Sequence, residues 1–238
     1  MLALHPSLIA GDLLNLQKQI AELDAYCDGY HLDIMDFHFV PNITWGPDFI
    51  NAIARATQKP LYIHLMVDDP EAYFALFKLR PDDTVAFHIE SCLTTPAGCS
   101  PLTAAICPSA IDYGYIQELL VLLQKDMLKA AVALRPSTNI TVLEPLLTRA
   151  NNILLMSVEP GFSGQEFLPG SFGRLTELVQ LRSQKEASCT ITMDGGINKS
   201  NIKELAQKGV AACVLGSSVF KDHEPVRNLI ELKELFKE

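Results

Sequence analysis

The segment YHLDIMDFHFVPNITWGP, residues 30–47, sets polar side chains inside an apolar run and is the first candidate for a chemical site. Because successive side chains of a strand point to opposite faces, His31, Asp33 and Met35 share one face. Imidazole and carboxylate are both ligands for zinc, iron, manganese or cobalt. A buried carboxylate without a partner is costly, so Asp33 in this setting indicates a bound cation or a proton-transfer role.

Two further segments supply the same residue types. YIHLMV carries His64 with Met66 on the same face, and TITMDGG ends in Asp194. Two histidines and two aspartates at strand ends would complete a four-ligand site for one divalent metal ion, with zinc, iron, manganese and cobalt all suitable.

Each of these positions also has a structural interpretation. A barrel-facing histidine such as His64 can be a hydrogen-bonded core residue, and His38 and His88 are alternative ligands. Three methionines on or near these strands are individually ordinary core residues: Met35, Met66 and Met156.

Three glycine-rich loops are suited to an anion. SVEPGFSGQEF, residues 157–167, follows the sixth predicted strand, DGGIN follows the seventh and LGSS follows the eighth. Glycine lets backbone N–H groups approach an anion closely, and the loops after strands seven and eight are the usual phosphate site of (β/α)8 barrels. The pattern therefore predicts a phosphate-bearing ligand.

The elements that must position these residues alternate along the whole chain. Short apolar runs predict strands near 2–8, 30–35, 60–65, 84–89, 129–134, 152–158, 189–193 and 211–216. Amphipathic stretches predict helices near 12–25, 47–57, 69–78, 112–126, 139–149, 171–186, 198–208 and 224–237. Eight strand–helix units predict an α/β fold, a (β/α)8 TIM barrel of the phosphate-binding type. A doubly wound sheet is the alternative, but no GxGxxG follows the first strand.

One stretch interrupts the alternation. Residues 92–111, CLTTPAGCSPLTAAICPSAI, have little periodicity and predict a long loop or insertion after the fourth strand, either covering a site or interface or lying idle on the surface. No linker or low-complexity tract marks a second domain, so residues 1–238 are expected to form a single barrel domain.

Composition and charge argue against several classes of protein. The chain has 238 residues, 48% hydrophobic and 20% charged, which is enough to bury a large core. A net charge of -9 disfavours nucleic acid and anionic membranes as partners. Six scattered cysteines without a CxxC pair, no basic N-terminal leader and no apolar run of membrane length predict a cytoplasmic protein with reduced thiols.

The order of these motifs resembles that of the ribulose-phosphate 3-epimerase family. PSLIAGD (6–12) is similar to the family's PSxLxxD, the segment from His31 to Pro47 to HxDxMDGxFVPNxTxGP, and HLMVDDPEAY to HLMxxxPExY. SVEPGFSGQEF, MDGGI and VLGSSVF resemble the phosphate loop and the last two strand ends. The resemblance runs from residue 6 to about 220 and implies an isomerase of carbohydrate metabolism.

The resemblance also implies roles for individual residues. Asp33 and Asp194 would be the acid–base pair, and His31 and His64 would join them in binding a divalent metal. Ser7 and His64 would contact the substrate, and Met35, Met66 and Met156 would line the site. The remaining residues would hold the ligand, chiefly its phosphate: Gly161, Phe162, Ser163, Gly164, Gly195, Gly196, Gly216 and Ser217.

The implied reaction is C3 epimerisation of D-ribulose 5-phosphate to D-xylulose 5-phosphate in the pentose phosphate pathway, by a homo-oligomer. Allulose 6-phosphate 3-epimerisation and a non-catalytic sugar-phosphate-binding barrel are the alternatives. Three departures bear on this choice: Phe37 and Ser163 replace usual glycines, and Arg135 stands where asparagine is common. The aldolase and decarboxylase signature DxKxxD is not found.

Overall fold

The apolar runs predicted as strands form one parallel sheet in the computed structural model, which describes residues 2–94 and 110–236. The strands are β1 (Ala3–Pro6), β2 (Tyr30–Met35), β3 (Leu61–Met66), β4 (Thr84–His88), β5 (Lys129–Leu134), β6 (Asn152–Met156), β7 (Thr190–Asp194) and β8 (Ala212–Leu215). Every residue of β2 and of β3 is buried, because helices cover the outer face and side chains fill the interior.

The sheet closes on itself. Its order is β1-β8-β7-β6-β5-β4-β3-β2, and a parallel bridge between Ser7 and His31 joins the two end strands. Eight parallel strands alternating with helices form a (β/α)8 barrel, which confirms the fold class predicted from the sequence.

Helices lie along the outside of the barrel, and at least one α-helix follows every strand except β5. They are α1 (Leu16–Leu23), α2 (Pro47–Ala56), α3 (Glu71–Phe74), α4 (Tyr113–Lys125), α5 (Ser171–Gln184), α6 (Ile202–Gln207), α7 (Ser217–Phe220) and α8 (Pro225–Glu234). Their apolar faces and the outer faces of the strands share one large buried core.

The predicted helix at 139–149 is wrong. The chain there forms only a 3-10 helix, Ile140–Leu143, followed by turns. Pro145 lies in the middle of the predicted helix and has no N–H to donate to the carbonyl one turn earlier. The apolar spacing survives because Leu146 and Leu147 are still buried.

The predicted helix at 69–78 is also too long. The structure keeps only α3, because Asn51 on α2 captures the backbone beyond it. The Asn51 side chain accepts from Lys78 N at 2.7 Å and donates to Leu76 O at 3.4 Å, so these groups do not continue the helical ladder.

The barrel interior is built from small side chains beside large ones. Ala86 on β4 and Ala131 and Ala133 on β5 are fully buried and pack with Tyr62 and Leu154. Ala86 lies opposite His64 of β3 in the parallel register.

The predicted insertion at 92–111 is described only at its ends. Leu93 pairs with Ile111 in an antiparallel bridge, and Thr94 N donates to Ala110 O at 2.8 Å. The rest of the segment lies outside the described residues.

The described residues also show the state of the cysteines and whether any helix could span a membrane. The cysteines there are buried and free: Cys27, Cys92, Cys189 and Cys213. No helix within 2–94 and 110–236 is long and apolar enough to cross a membrane.

Candidate active site

Four polar side chains from three strands meet inside the carboxyl end of the barrel. β2 carries His31 and Asp33, β3 carries His64 and β7 ends in Asp194. The parallel register sets Asp33 directly opposite His64. One nitrogen or oxygen from each of the four residues lies within 4.8 Å of the others. The four residues therefore present a cluster of two imidazoles and two carboxylates.

The distances show how the two rings are oriented. His64 Nδ1 lies 3.4 Å from Asp33 Oδ1 and 3.5 Å from Asp194 Oδ2. His31 Nδ1 lies 3.2 Å from Asp33 Oδ2, while its Nε2 lies 3.8 Å from Asp194 Oδ2. Each ring thus turns one nitrogen toward the centre of the cluster.

The two inward nitrogens fit a metal ion. Within the described part of the chain, His31 Nε2 and His64 Nδ1 are buried and have no hydrogen-bond partner. A buried polar atom without a partner is costly, and carboxylate oxygens beside it make a donor set suited to a divalent cation. The chemistry of the four donors therefore fits the ion implied by the sequence.

The cluster favours charged forms despite its burial. Burial alone would raise the pKa of Asp33, but His31 and His64 hold it well below its ordinary value. Burial likewise would lower the pKa of His64, yet Asp194 and Asp33 raise it to about 9. The carboxylates thus surround His64 with negative potential, the environment that also attracts a cation.

Ser7 joins the cluster from the end of β1. Its Oγ donates to Asp33 Oδ2 at 2.6 Å, and the residue is only 4% exposed. Because Asp33 Oδ2 also faces His31, Oδ1 is the oxygen of Asp33 left toward the middle of the cluster.

A cleft above the cluster contains the other residues singled out in the sequence. Its lining includes Ser7, Asp33, Met35, Met66, Met156, Gly161, Phe162, Ser163, Gly164, Asp194, Gly195, Gly196, Gly216 and Ser217. The three methionines are buried and give the cleft an apolar wall next to the carboxylates. His31 and His64 are fully buried beneath it.

The loop after β7 requires glycine. Gly195 has a φ of 116°, and a Cβ there would lie 2.4 Å from Val158 Cγ2. Gly196 has a φ of 62°, and a Cβ there would lie 2.3 Å from Phe167 N. The backbone of this loop therefore packs against the 157–167 loop at a distance that no other residue allows.

The alternative ligands lie elsewhere. His38 is exposed beyond β2, with its Nδ1 2.9 Å from Asp36 O. His88 lies behind His64, with the two Nε2 atoms 2.9 Å apart, and its Nδ1 is 3.0 Å from Glu90 Oε2. Glu90 was not predicted as a site residue, although His88 and Glu90 repeat the two-residue spacing of His31 and Asp33.

Of the three departures from the family pattern, only Ser163 is among the residues that line the cleft. Phe37 is 65% exposed in the loop after β2, so its ring points to solvent. Arg135 is buried, with its guanidinium 4.0 Å from the centre of the Phe39 ring.

Fold and cleft together define a class: a phosphate-binding-type (β/α)8 barrel with a buried His–Asp cluster under its glycine loops. The chain matches the Ribulose-phosphate 3 epimerase family over residues 3–100 and 102–220, and it belongs to this family of isomerases.

Individual relatives agree with the family match. The chain is 34% identical over 236 residues to ribulose-phosphate 3-epimerase of Aquifex aeolicus, covering 99% of this chain and 97% of the relative. It is 28% identical to that of Bacillus subtilis, covering 98% and 99%, and 31% identical to the chloroplastic ribulose-5-phosphate-3-epimerase of Arabidopsis thaliana, covering 90% and 70%.

Solved structures share the fold at low identity. The 3-hexulose-6-phosphate synthase of Salmonella typhimurium aligns with a TM-score of 0.67 at 14% identity, covering 99% of this chain and 98% of the other. The orotidine 5'-monophosphate decarboxylase of Sulfolobus solfataricus aligns at 0.63 with 9% identity, covering 99% and 98%. At this level of identity, the similarity to these structures shows a shared barrel fold.

Proposed function

We propose that the protein interconverts D-ribulose 5-phosphate and D-xylulose 5-phosphate with one bound divalent metal ion, as one barrel domain. The observation that carries the proposal is the meeting of Asp33 and Asp194, from β2 and β7, at one cluster open to a cleft with glycine loops. The chain's relatives named ribulose-phosphate 3-epimerase support the pentose phosphate as substrate.

The two carboxylates supply the acid and the base. Epimerisation removes the C3 proton of the ketose, and the C–H electron pair moves toward the C2 carbonyl oxygen to give an enediolate. A proton returned to the opposite face of C3 gives the epimer. Asp33 is held in its ionised form and suits the base role in one direction, while Asp194 serves the other face.

His31, Asp33, His64 and Asp194 would hold the metal ion. When bound, the ion supplies positive charge next to the developing oxyanion. Met35, Met66 and Met156 exclude water from the cleft and so limit side reactions of the enediolate.

The glycine loops would hold the phosphate. Gly161, Gly164, Gly195, Gly196 and Gly216 line the cleft, and their backbones can approach the ligand without a side chain in between. Backbone N–H groups attract an anion locally, so no basic patch is required.

The test compares ribulose 5-phosphate with allulose 6-phosphate as substrates of the purified protein. We expect faster turnover of the pentose phosphate; faster turnover of the hexose phosphate would support the alternative specificity. A protein that binds a sugar phosphate without epimerising it would support the non-catalytic alternative. That alternative is motivated by Phe37 and the insertion at 92–111; against it, the Phe37 side chain is largely exposed to solvent.

Asp33→Asn and Asp194→Asn test the catalytic roles. Each should lower kcat by at least about 100-fold, the usual contribution of a general acid or base. Asp48→Asn, on the exposed side of α2, is the matched control and should keep wild-type turnover. Wild-type turnover in either site variant would refute the assigned roles. The cytoplasmic location and the homo-oligomer remain predictions.

A further inference from the structure

A line of buried polar groups extends from the cluster into the barrel wall. His64 Nε2 lies 2.9 Å from His88 Nε2, and His88 Nδ1 lies 3.0 Å from Glu90 Oε2. Glu90 Oε1 accepts from Thr138 Oγ1 at 2.6 Å and from Arg135 N at 2.9 Å. His64, His88 and Glu90 are at most 1% exposed.

Glu90 determines which atoms donate and which accept along the hydrogen-bonded series His64–His88–Glu90. Burial alone would raise the pKa of Glu90, but the bonds from His88, Thr138 and Arg135 lower it, so Glu90 is an anion that only accepts. His88 must therefore donate from Nδ1. A neutral imidazole that donates from Nδ1 accepts at Nε2, so His64 must donate its Nε2–H to His88.

The proton on His64 Nε2 determines the protonation of the other ring nitrogen, Nδ1. Because His88 holds one proton on His64 Nε2, the proton that His64 gives up when a cation binds is the one on Nδ1, beside the oxygens of Asp33 and Asp194 at 3.4 and 3.5 Å. Loss of that proton leaves the tautomer that a ligand to a cation needs.

We infer that His88 and Glu90 are positioning residues: through the bond from His64 Nε2 they hold His64 in the tautomer and orientation that bind the metal ion. The inference rests on the metal binding proposed above.

The surroundings of His88 hold it in place. The Phe39 ring packs against His88, with ring centres 4.8 Å apart, and the Arg135 guanidinium lies 4.0 Å from the centre of the Phe39 ring. Arg135 Nη2 also donates to Phe39 O at 2.8 Å. Arg174 Nη1 and Nη2 donate to Thr138 O and Arg135 O, which secures the backbone that binds Glu90. The His64 and His88 rings are themselves stacked, with their centres 5.0 Å apart.

Glu90→Gln is the decisive variant because an amide offers one acceptor and one donor group. If the amide oxygen stays opposite Arg135 N, the NH2 group faces His88 Nδ1, which must then accept. His88 would carry its proton on Nε2, and His64 would have to carry its own on Nδ1, the atom that should bind the metal.

The experiment measures the dissociation constant of Zn²⁺ by chelator competition, in wild type and variants. We expect Glu90→Gln to weaken binding by 10- to 100-fold, the usual effect of losing an outer-shell partner. Imidazole ¹⁵N NMR of the Zn²⁺-loaded protein should show the His88 proton on Nδ1 in wild type and on Nε2 in the variant. Equal dissociation constants in both proteins would overturn the inference.

Tyr30→Phe is the control for a variant that loses fold stability without affecting the metal site. Tyr30 is fully buried on β2, and its hydroxyl donates to Ile20 O at 2.8 Å, away from the cluster. We expect this variant to lower the Tm while leaving the Zn²⁺ dissociation constant unchanged. A Zn²⁺ affinity that falls with Tm in both variants alike would show that His88 and Glu90 act only through stability.

A second pair of variants serves if Glu90→Gln does not fold. His88→Gln keeps an oxygen that can accept from His64 Nε2, whereas His88→Leu has none. His88→Gln should bind Zn²⁺ at least fivefold more tightly than His88→Leu at comparable Tm, and equal affinities would contradict the inference. Wild-type protein that binds no Zn²⁺ would instead refute the proposed metal function.

Discussion

Phe37 holds a backbone conformation that suits glycine. Its φ is 64°, in the left-handed region that strains a residue with a Cβ. Its side chain is 65% exposed, so burial of the ring offsets little of that strain. We expect Phe37→Gly to raise the free energy of unfolding by about 0.5–1 kcal/mol, since relief of strain exceeds the added entropy of the unfolded chain.

Urea denaturation of the metal-free protein measures this change. Ile43→Gly is the matched control, because Ile43 is 68% exposed in the same loop but is not among the positive-φ residues. That variant should be less stable than wild type. A Phe37→Gly protein that loses stability to the same extent would contradict the strain argument.

His5 should make the fold sensitive to acid. Burial, then the charge of His31, lowers its pKa from 6.5 to about 4. Below pH 6.5 the unfolded chain binds a proton at His5 while the folded chain does not until about pH 4, so stability falls as the pH falls. His5→Phe removes this loss.

The measurement is the free energy of unfolding of His5→Phe and wild type at pH 7 and pH 4.5. We expect wild type to lose roughly 2–3 kcal/mol more than the variant over this interval. The same loss in both proteins would show that His5 does not carry the acid dependence.

Side-chain types and alternation predicted the candidate metal set because β2 and β3 have regular geometry. Asp33 and His64 lie on adjacent parallel strands in register, so their shared location follows from the strand pattern alone. Glu90 could not be placed this way, since it follows the end of β4 in a 3-10 turn and reaches His88 through the fold of the loop. Its bond to Thr138 joins residues far apart in sequence.

At the scale of elements, strands were more predictable than helices. A barrel strand is buried on both faces, so its apolar run is unbroken and its bounds agree with the prediction within a few residues. A helix depends on its whole backbone ladder. The apolar spacing at 139–149 was correct, but Pro145 and the tertiary bonds of Asn51 decided the local backbone in the two helices that were wrong.

Two loops over the cleft are joined by one side chain. Asn42 Nδ2, in the loop after β2, donates to Gly161 O at 2.7 Å in the loop after β6. Removing the bond in Asn42→Ala should loosen the 157–167 loop and raise KM for the sugar phosphate about fivefold, equivalent to about 1 kcal/mol, with a smaller effect on kcat.

Steady-state kinetics on ribulose 5-phosphate separates the two effects. Ile43→Ala changes the neighbouring exposed side chain and should leave KM as in wild type. A fall in kcat with unchanged KM in Asn42→Ala would mean that Asn42 acts on the chemical step rather than on phosphate binding.

For the whole molecule, charge and substrate oppose each other. The net charge is -9, and the proposed substrate is a phosphate anion. In the proposed function the attraction comes from nearby groups, the backbone N–H groups of the glycine loops and the proposed metal ion, acting over a few ångströms. The distant surface charges repel over a much longer range.

Varying the salt concentration distinguishes the short-range attraction in the cleft from the long-range repulsion by surface charges. The Debye length falls from roughly 30 Å at 10 mM to about 8 Å at 150 mM ionic strength, so salt screens the distant repulsion more than the contacts inside the cleft. We expect kcat/KM for ribulose 5-phosphate to rise by roughly twofold between 10 and 150 mM KCl. Chloride is the suitable anion because sulfate or phosphate would compete for the glycine loops. A severalfold fall in kcat/KM over this range would instead show a net attractive field at the cleft, and the surface charges would then have to steer the substrate rather than repel it.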